Sequence, residues 1–166
     1  MRHFFDGCYS AGPLGCPFYA PSPSAISQNL SALYDSVRSH PIPVRTESSY
    51  GIVDYNLLRM TVFTSLYIPY AAFLPLAGAL ADLAAGDGRR LLNMFRIPPL
   101  SQLKCECGEA KEAEATFVGR DPQNTVLCND GERISGDLED LQKYVENLTA
   151  QTEWGDVWAS IRASCV

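Results

Sequence analysis

At 166 residues, 46% hydrophobic and 19% charged, the chain has the length of one ordinary domain and enough apolar material for a core. A net charge of −6, with basic residues scattered apart from Arg89-Arg90, excludes the electrostatic footprint of a DNA- or RNA-binding surface. Six cysteines and the acceptor sequons Asn29-Leu30-Ser31 and Asn147-Leu148-Thr149 indicate a secretory history. Yet Met1 to Gly7 lacks the apolar stretch of a signal peptide, so the chain is expected to be part of something longer.

Residues 1–20 read as a turn-rich entry segment, punctuated by Gly7, Gly12-Pro13, Gly15 and Pro17. Cys8 and Cys16 flank Gly12-Pro13 and are candidates for a disulfide, the alternative being two buried free thiols. Ser24 is placed to cap a helix whose Ile26, Leu30, Leu33 and Val37 share one face. His40-Pro41 ends it, because a residue before proline avoids helical angles. Asn29 falls on the opposite, polar face, where a glycan is sterically permitted.

Residues 41–53 read as a loop. Asp54 is placed to cap a second helix, apolar most of the way round and therefore buried against several neighbours. From Thr61 to Ala81 there is no charge, enough length to cross about 30 Å of hydrocarbon. Pro69 and Pro75 break that run, so two buried helices and a turn are predicted rather than a membrane span. Pro75 suits the first turn of the later helix, which ends at Gly86-Asp87-Gly88, and residues 89–95 form one or two further turns.

Residues 101–123, with Cys105, Cys107 and the charged run Glu109 to Glu114, read as a variable surface linker. Asn124 to Cys128 is the best strand candidate, short and β-branched, before the turn Asn129-Asp130-Gly131. Asp137 caps a helix bearing Leu138, Leu141, Val145 and Leu148, and its first-turn acids suit the helix dipole. Trp154, Trp158, Ile161 and Cys165 line a last amphipathic helix.

Little in this pattern points to chemistry. Glu47-Ser48-Ser49-Tyr50-Gly51 is one glycine short of a nucleophile elbow, and Pro41 and Pro43 forbid a central strand before it. The only histidines, His3 and His40, both precede Ser49, whereas such a hydrolase places its base after the serine. Ser49 is therefore expected to be a loop residue, and a cysteine nucleophile meets the same shortage of a base. Cys105 and Cys107 are spaced too closely for a zinc ribbon, so no metal is expected. Asp130, Asp137, Glu139 and Asp140 are explained by helix capping, and no glycine loop cradles a phosphate.

Taken in order, FFDGCYSAGPLGCPFYA (4–20), LYDSVRSHPIPV (33–44), LYIPYAAFLPLAGALADLAAGDG (66–88), VLCNDGE (126–132), DLEDLQKYVENL and WGDVWASIRASC form a pattern. It resembles the middle of secreted fungal α/β-hydrolases of the tripeptidyl-aminopeptidase-like type, peptidase family S33. The resemblance implies a mainly α chain: the helical lid of an α/β-hydrolase with one or a few short strands of the parent sheet. Residues 21–100 would be the lid, and residues 124–166 a strand plus two helices of the core, with 124–131 re-entering the sheet.

In that family the G-x-S-Y-G elbow and oxyanion hole lie upstream of the matched segment, and the acid and histidine lie downstream. No catalytic residue and no cofactor can be assigned here, so the chain alone is expected not to be an enzyme. The family pattern also has cysteines where Cys8, Cys16, Cys128 and Cys165 stand, implying the pairs Cys8–Cys16 and Cys128–Cys165.

Phe63, Tyr67 and Tyr70 are candidate lid residues lining a pocket, the simpler expectation being that all three are core. Possible partners are the missing hydrolase core or a second copy meeting an exposed apolar surface. The alternative is a free-standing helical binding module that turns such a face to a partner or a membrane surface.

Overall fold

The computed structural model of the chain describes residues 1–47, 50–94, 121–130 and 137–165. It is mainly helical, with eight α-helices and one two-stranded antiparallel sheet among the described residues. Two compact units divide at Arg96/Ile97.

In the first unit, helix α1 spans Arg2–Gly15, where the sequence leads one to expect turns. The turn signals act at one point only. Gly12 leaves helical geometry at φ 69°, a left-handed angle that glycine adopts without steric cost, and Pro13 restarts the helix after it. Phe4 and Cys8 face inward, and Phe4 meets Phe73 edge-on with ring centroids 5.3 Å apart.

Helix α2 (Pro23–Ser39) is capped by Ser22 rather than Ser24: the Ala25 N–H donates to Ser22 Oγ at 3.1 Å. Pro23 then takes the first helical position, where a missing N–H costs nothing. Ile26, Leu30 and Val37 are buried as their spacing predicts, and the helix stops at His40 before Pro41.

Residues 42–53 are not a featureless loop. Strands β1 (Ile42–Arg45) and β2 (Tyr50–Val53) pair antiparallel, with Ile42 opposite Val53 and Val44 opposite Gly51. Pro43 is tolerated because both strands of a two-stranded sheet are edges. Val44 and Val53 point into the core and press on Gly88, where an added Cβ would lie 2.7 Å from Val53 and 2.9 Å from Val44.

Helix α3 (Tyr55–Ser65) starts at Asp54, whose Oδ1 accepts from the Leu57 N–H at 2.8 Å. Leu58, Thr61, Val62, Phe63 and Ser65 are buried, as its all-round apolarity requires. Helix α4 is a single element, Pro69–Ala84. Pro69, not Pro75, holds its first turn, and Pro75 lies inside on an exposed face while Ala72, Leu76, Leu80 and Leu83 continue the buried row. Gly86, at φ 87°, closes it, and α5 (Arg89–Met94) follows with Leu91 buried. No described helix is long and apolar enough to cross a membrane.

In the second unit, residues 124–128 belong to helix α6 (Asp121–Asp130), not to a strand. A short β-branched run is a weak signal by itself, and no second strand pairs with it among the described residues of this unit. Pro122 in the first turn favours a helix start instead. Helix α7 (Leu138–Gln151) begins at Asp137, which accepts from the Glu139 N–H at 2.9 Å. Helix α8 (Gly155–Arg162) runs on into a 3-10 turn, Ala163–Cys165. The core here is thin: Trp154, Val157 and Ala159 are buried, while no residue of α7 is.

Candidate functional site

Ser49 lies outside the described residues, as do Cys105 and Cys107. The residues after Ser49 are described, and Tyr50–Val53 form a strand where a nucleophile elbow needs a helix. Gly51 has a packing role in that strand, since an added Cβ would sit 2.8 Å from Leu92. His3 and His40 are both exposed. Among the described residues no group of His, Cys, Asp and Glu is placed to hold a metal ion.

Both cysteine pairs are bonded: Cys8 with Cys16, and Cys128 with Cys165. The first closes over the Gly12 break in α1 and is buried, at 5% and 4% exposure. The second ties α6 to the 3-10 turn after α8 and is only half-buried. Asn29 and Asn147 are exposed on α2 and α7. In each sequon the hydroxyl donates back to its own helix: Ser31 to the Ser27 carbonyl at 3.2 Å, and Thr149 to the Val145 carbonyl at 2.9 Å.

The three candidate aromatics divide. Phe63 is core, at 8% exposure, whereas Tyr67 is 65% exposed and Tyr70 fully so. Phe63 meets Tyr67 edge-on at 5.4 Å, so a buried ring props an exposed one. Ile68 and Leu74 are also exposed. Tyr70 and Leu74 are four residues apart on α4 and share a face. Helix interiors on either side hold this corner, because Val62, Phe63 and Ser65 are buried before it and Ala72, Leu76 and Leu80 after it.

Leu74 joins that corner to a groove between α1 and α4, about 190 Å³ in volume, walled by Phe4, Cys8, Ala11, Phe73, Leu74 and Ala77. No charged side chain lines it. The sequence marks Tyr67 and Tyr70 here, but not Ile68 and Leu74 at the corner or Phe73 in the groove. Helical periodicity identifies the buried row of α4, but not which other face lacks a cover.

Charge is found elsewhere. An open recess of about 640 Å³ near α5 contains Asp82, Asp87, Arg89 and Arg90. Arg89 grips Asp87 from Nε and Nη2, at 2.9 and 2.6 Å, and its own N–H donates to Asp87 Oδ1 at 2.9 Å. These bonds, the side-chain ones foremost, hold the Asp87 carboxyl down at about 2 against an ordinary 3.8. Arg90 pairs with Asp82 at 2.8 Å. Each carboxylate is thus matched with a guanidinium, which suits closing the α4–α5 turn better than charging a ligand.

Between α2 and α3, the Arg38 guanidinium sits 4.0 Å over the Tyr55 ring and that of Arg59 5.1 Å over Tyr34. The two tyrosines meet edge-on at 5.8 Å, which accounts for a nearly buried arginine in an apolar helix. No family model, curated protein or solved structure matches the chain.

Proposed function

We propose that this chain is a non-catalytic helical module that covers an apolar surface, the part a lid plays in a serine α/β-hydrolase. The observation behind this reading is the α3–α4 corner, where Tyr67, Ile68, Tyr70 and Leu74 stand in solvent between two helices whose other faces are buried. The helix backbone beneath them is anchored by buried residues on either side, Val62, Phe63 and Ser65 before the corner and Ala72, Leu76 and Leu80 after it. It therefore loses little conformational entropy when it closes over a surface and expels water. Tyrosine suits that position, offering an apolar ring with a polar tip. The proposal assigns no catalytic residue within Met1–Val166.

A free-standing binding module is the second reading, and one observation favours it. The first unit buries its own core, with Ile26, Leu58, Leu76, Leu80 and Leu91 hidden from solvent without any further sheet. A module that folds alone should elute as one sharp species, whereas a lid without its parent sheet should aggregate or stay partly molten.

The test uses the purified chain, a fluorophosphonate probe, a hydrophobic dye and size-exclusion chromatography. We expect no covalent labelling. We expect dye binding that falls by at least about half in the double variant Tyr70→Ser, Leu74→Ser. Labelling that disappears in Ser49→Ala would overturn the non-catalytic reading, and dye binding indifferent to the double variant would remove the corner from it.

A further inference from the structure

The two disulfides stand in different surroundings. Cys8 and Cys16 are buried within α1 and just past its end. Cys128 and Cys165 are half-buried and join two elements far apart in sequence. A thiol reagent in solution can approach the second pair far more readily than the first.

The second pair also has an asymmetric electrostatic environment. Arg162 Nη1 lies 3.8 Å from Cys165 Sγ, and the same nitrogen donates to the Leu127 carbonyl. A guanidinium beside a sulfur favours its thiolate. In disulfide exchange the sulfur that leaves most readily is the one whose thiolate is most stable. Arg162 therefore marks Cys165 as the leaving group and Cys128 as the sulfur attacked.

Helix α6 depends on this link. None of its described side chains, 125–130, is buried. A helix of ten residues is marginal in water by itself. The bond from Cys128 to Cys165 ties it to the 3-10 turn after α8.

We propose that Cys128–Cys165 is an exchangeable disulfide, opened by a dithiol reductant through attack on Cys128, with Arg162 stabilising the departing Cys165 thiolate and α6 released as the result. One thiolate of the dithiol bonds to Cys128 Sγ; the Sγ–Sγ bond breaks and its electron pair leaves on Cys165 Sγ. The second thiol of the reductant gives up its proton and attacks the reductant's own sulfur in the mixed disulfide. Cys128 departs as a thiolate, and it and the Cys165 thiolate each take up one of the two protons that the dithiol has released. Two electrons pass, the dithiol ends as a disulfide, and the protein gains two thiols. Cys8–Cys16 stays closed throughout.

The experiment caps any thiol already free with N-ethylmaleimide, treats the full folded chain with graded dithiothreitol, quenches with iodoacetamide at timed intervals and reads each cysteine peptide by mass spectrometry. Cys128–Cys165 should open at least about tenfold faster than Cys8–Cys16. With glutathione, the first mixed disulfide should form on Cys128. Amide hydrogen exchange over 121–130 should rise on reduction while that of α3 and α4 does not. Arg162→Gln should slow opening about threefold, and Arg162→Lys should restore most of the rate.

A purely structural role for Arg162 predicts the opposite sign, because loosened packing would expose the disulfide and speed its reduction. Faster opening in Arg162→Gln, first adduct formation on Cys165, equal rates for the two disulfides, or unchanged exchange over 121–130 would each overturn the proposal.

Discussion

Gly155 gives the sharpest test of how the second unit is held together. It is the first residue of α8, just beyond the end of α7, and it is buried. A Cβ added there would lie 2.5 Å from the Leu148 carbonyl carbon and from the Thr149 nitrogen, and 2.6 Å from the Leu148 oxygen. All three are backbone atoms of α7, so no side-chain rotation relieves the clash. The two helices must part. Overpacking of this kind costs about 1–3 kcal/mol. Against it stands a gain of about 0.4–1 kcal/mol from restricting the unfolded chain.

The net loss for Gly155→Ala is then roughly 1–2 kcal/mol. With a urea slope near the low end of about 1–3 kcal/mol/M, the midpoint should drop by about 1–2 M. The chain has two tryptophans, and both Trp154 and Trp158 sit in this unit, so indole fluorescence during urea unfolding reports on it selectively. A midpoint equal to or above that of the wild type would refute the close approach of α7 and α8.

Leu80, fully buried in α4, should cost about 3–5 kcal/mol when cut to alanine, read as loss of helical circular dichroism from the first unit at lower urea. Asp87 predicts an acid dependence. Its folded pKa of about 2 lies below the ordinary 3.8, so its contribution to stability is present above that ordinary value and is lost as pH falls through 2. Asp87→Asn should therefore fall short of the wild type at pH 6, and the gap should close as the pH is taken down through 2. A gap that stays constant over that range would contradict the Arg89 grip.

The legible parts of the fold were those written in local physics. Asp54 and Asp137 cap where short acidic side chains before apolar runs should, and α2 ends where Pro41 forbids another turn. Illegible were places where one signal had two outcomes. Gly12-Pro13 can make a loop or only interrupt a helix, and the buried Phe4 and Cys8 decided for the interruption. Pro69 and Pro75 compete for one helix start, and the earlier proline took it because the apolar row already runs through Ala72. Ser22 outranked Ser24 for the same kind of reason, with Pro23 fixing the first helical position between them.

The strands were misplaced for a different reason. Taken by itself, the run Asn124 to Cys128 is more strand-like than Ile42 to Arg45, which carries a proline and a charge. Strand formation depends on a partner as much as on the run itself. Ile42 to Arg45 has one in Tyr50 to Val53, with Val44 and Val53 turned together onto Gly88. Asn124 to Cys128 has none among the described residues of its unit, and Cys128 is fixed instead by Cys165.

The same dependence on a partner governs the candidate site. Tyr67 and Tyr70 come from an uncharged stretch in which every large side chain looks equally fit for a core. Phe63 is buried because α3 has neighbours on nearly all sides, while the start of α4 has them on one side only, leaving Tyr70 and Leu74 in water. Composition sets how much apolar surface a chain carries, but packing decides how much of it is left over. Among the described residues that remainder includes Tyr9 and Leu14 on α1, Tyr50 and Ile52 on β2, and Val126 and Leu138 in the second unit. But four of its members, Tyr67, Ile68, Tyr70 and Leu74, fall within eight residues at one helix corner, and such a local cluster is what a covering or docking role requires.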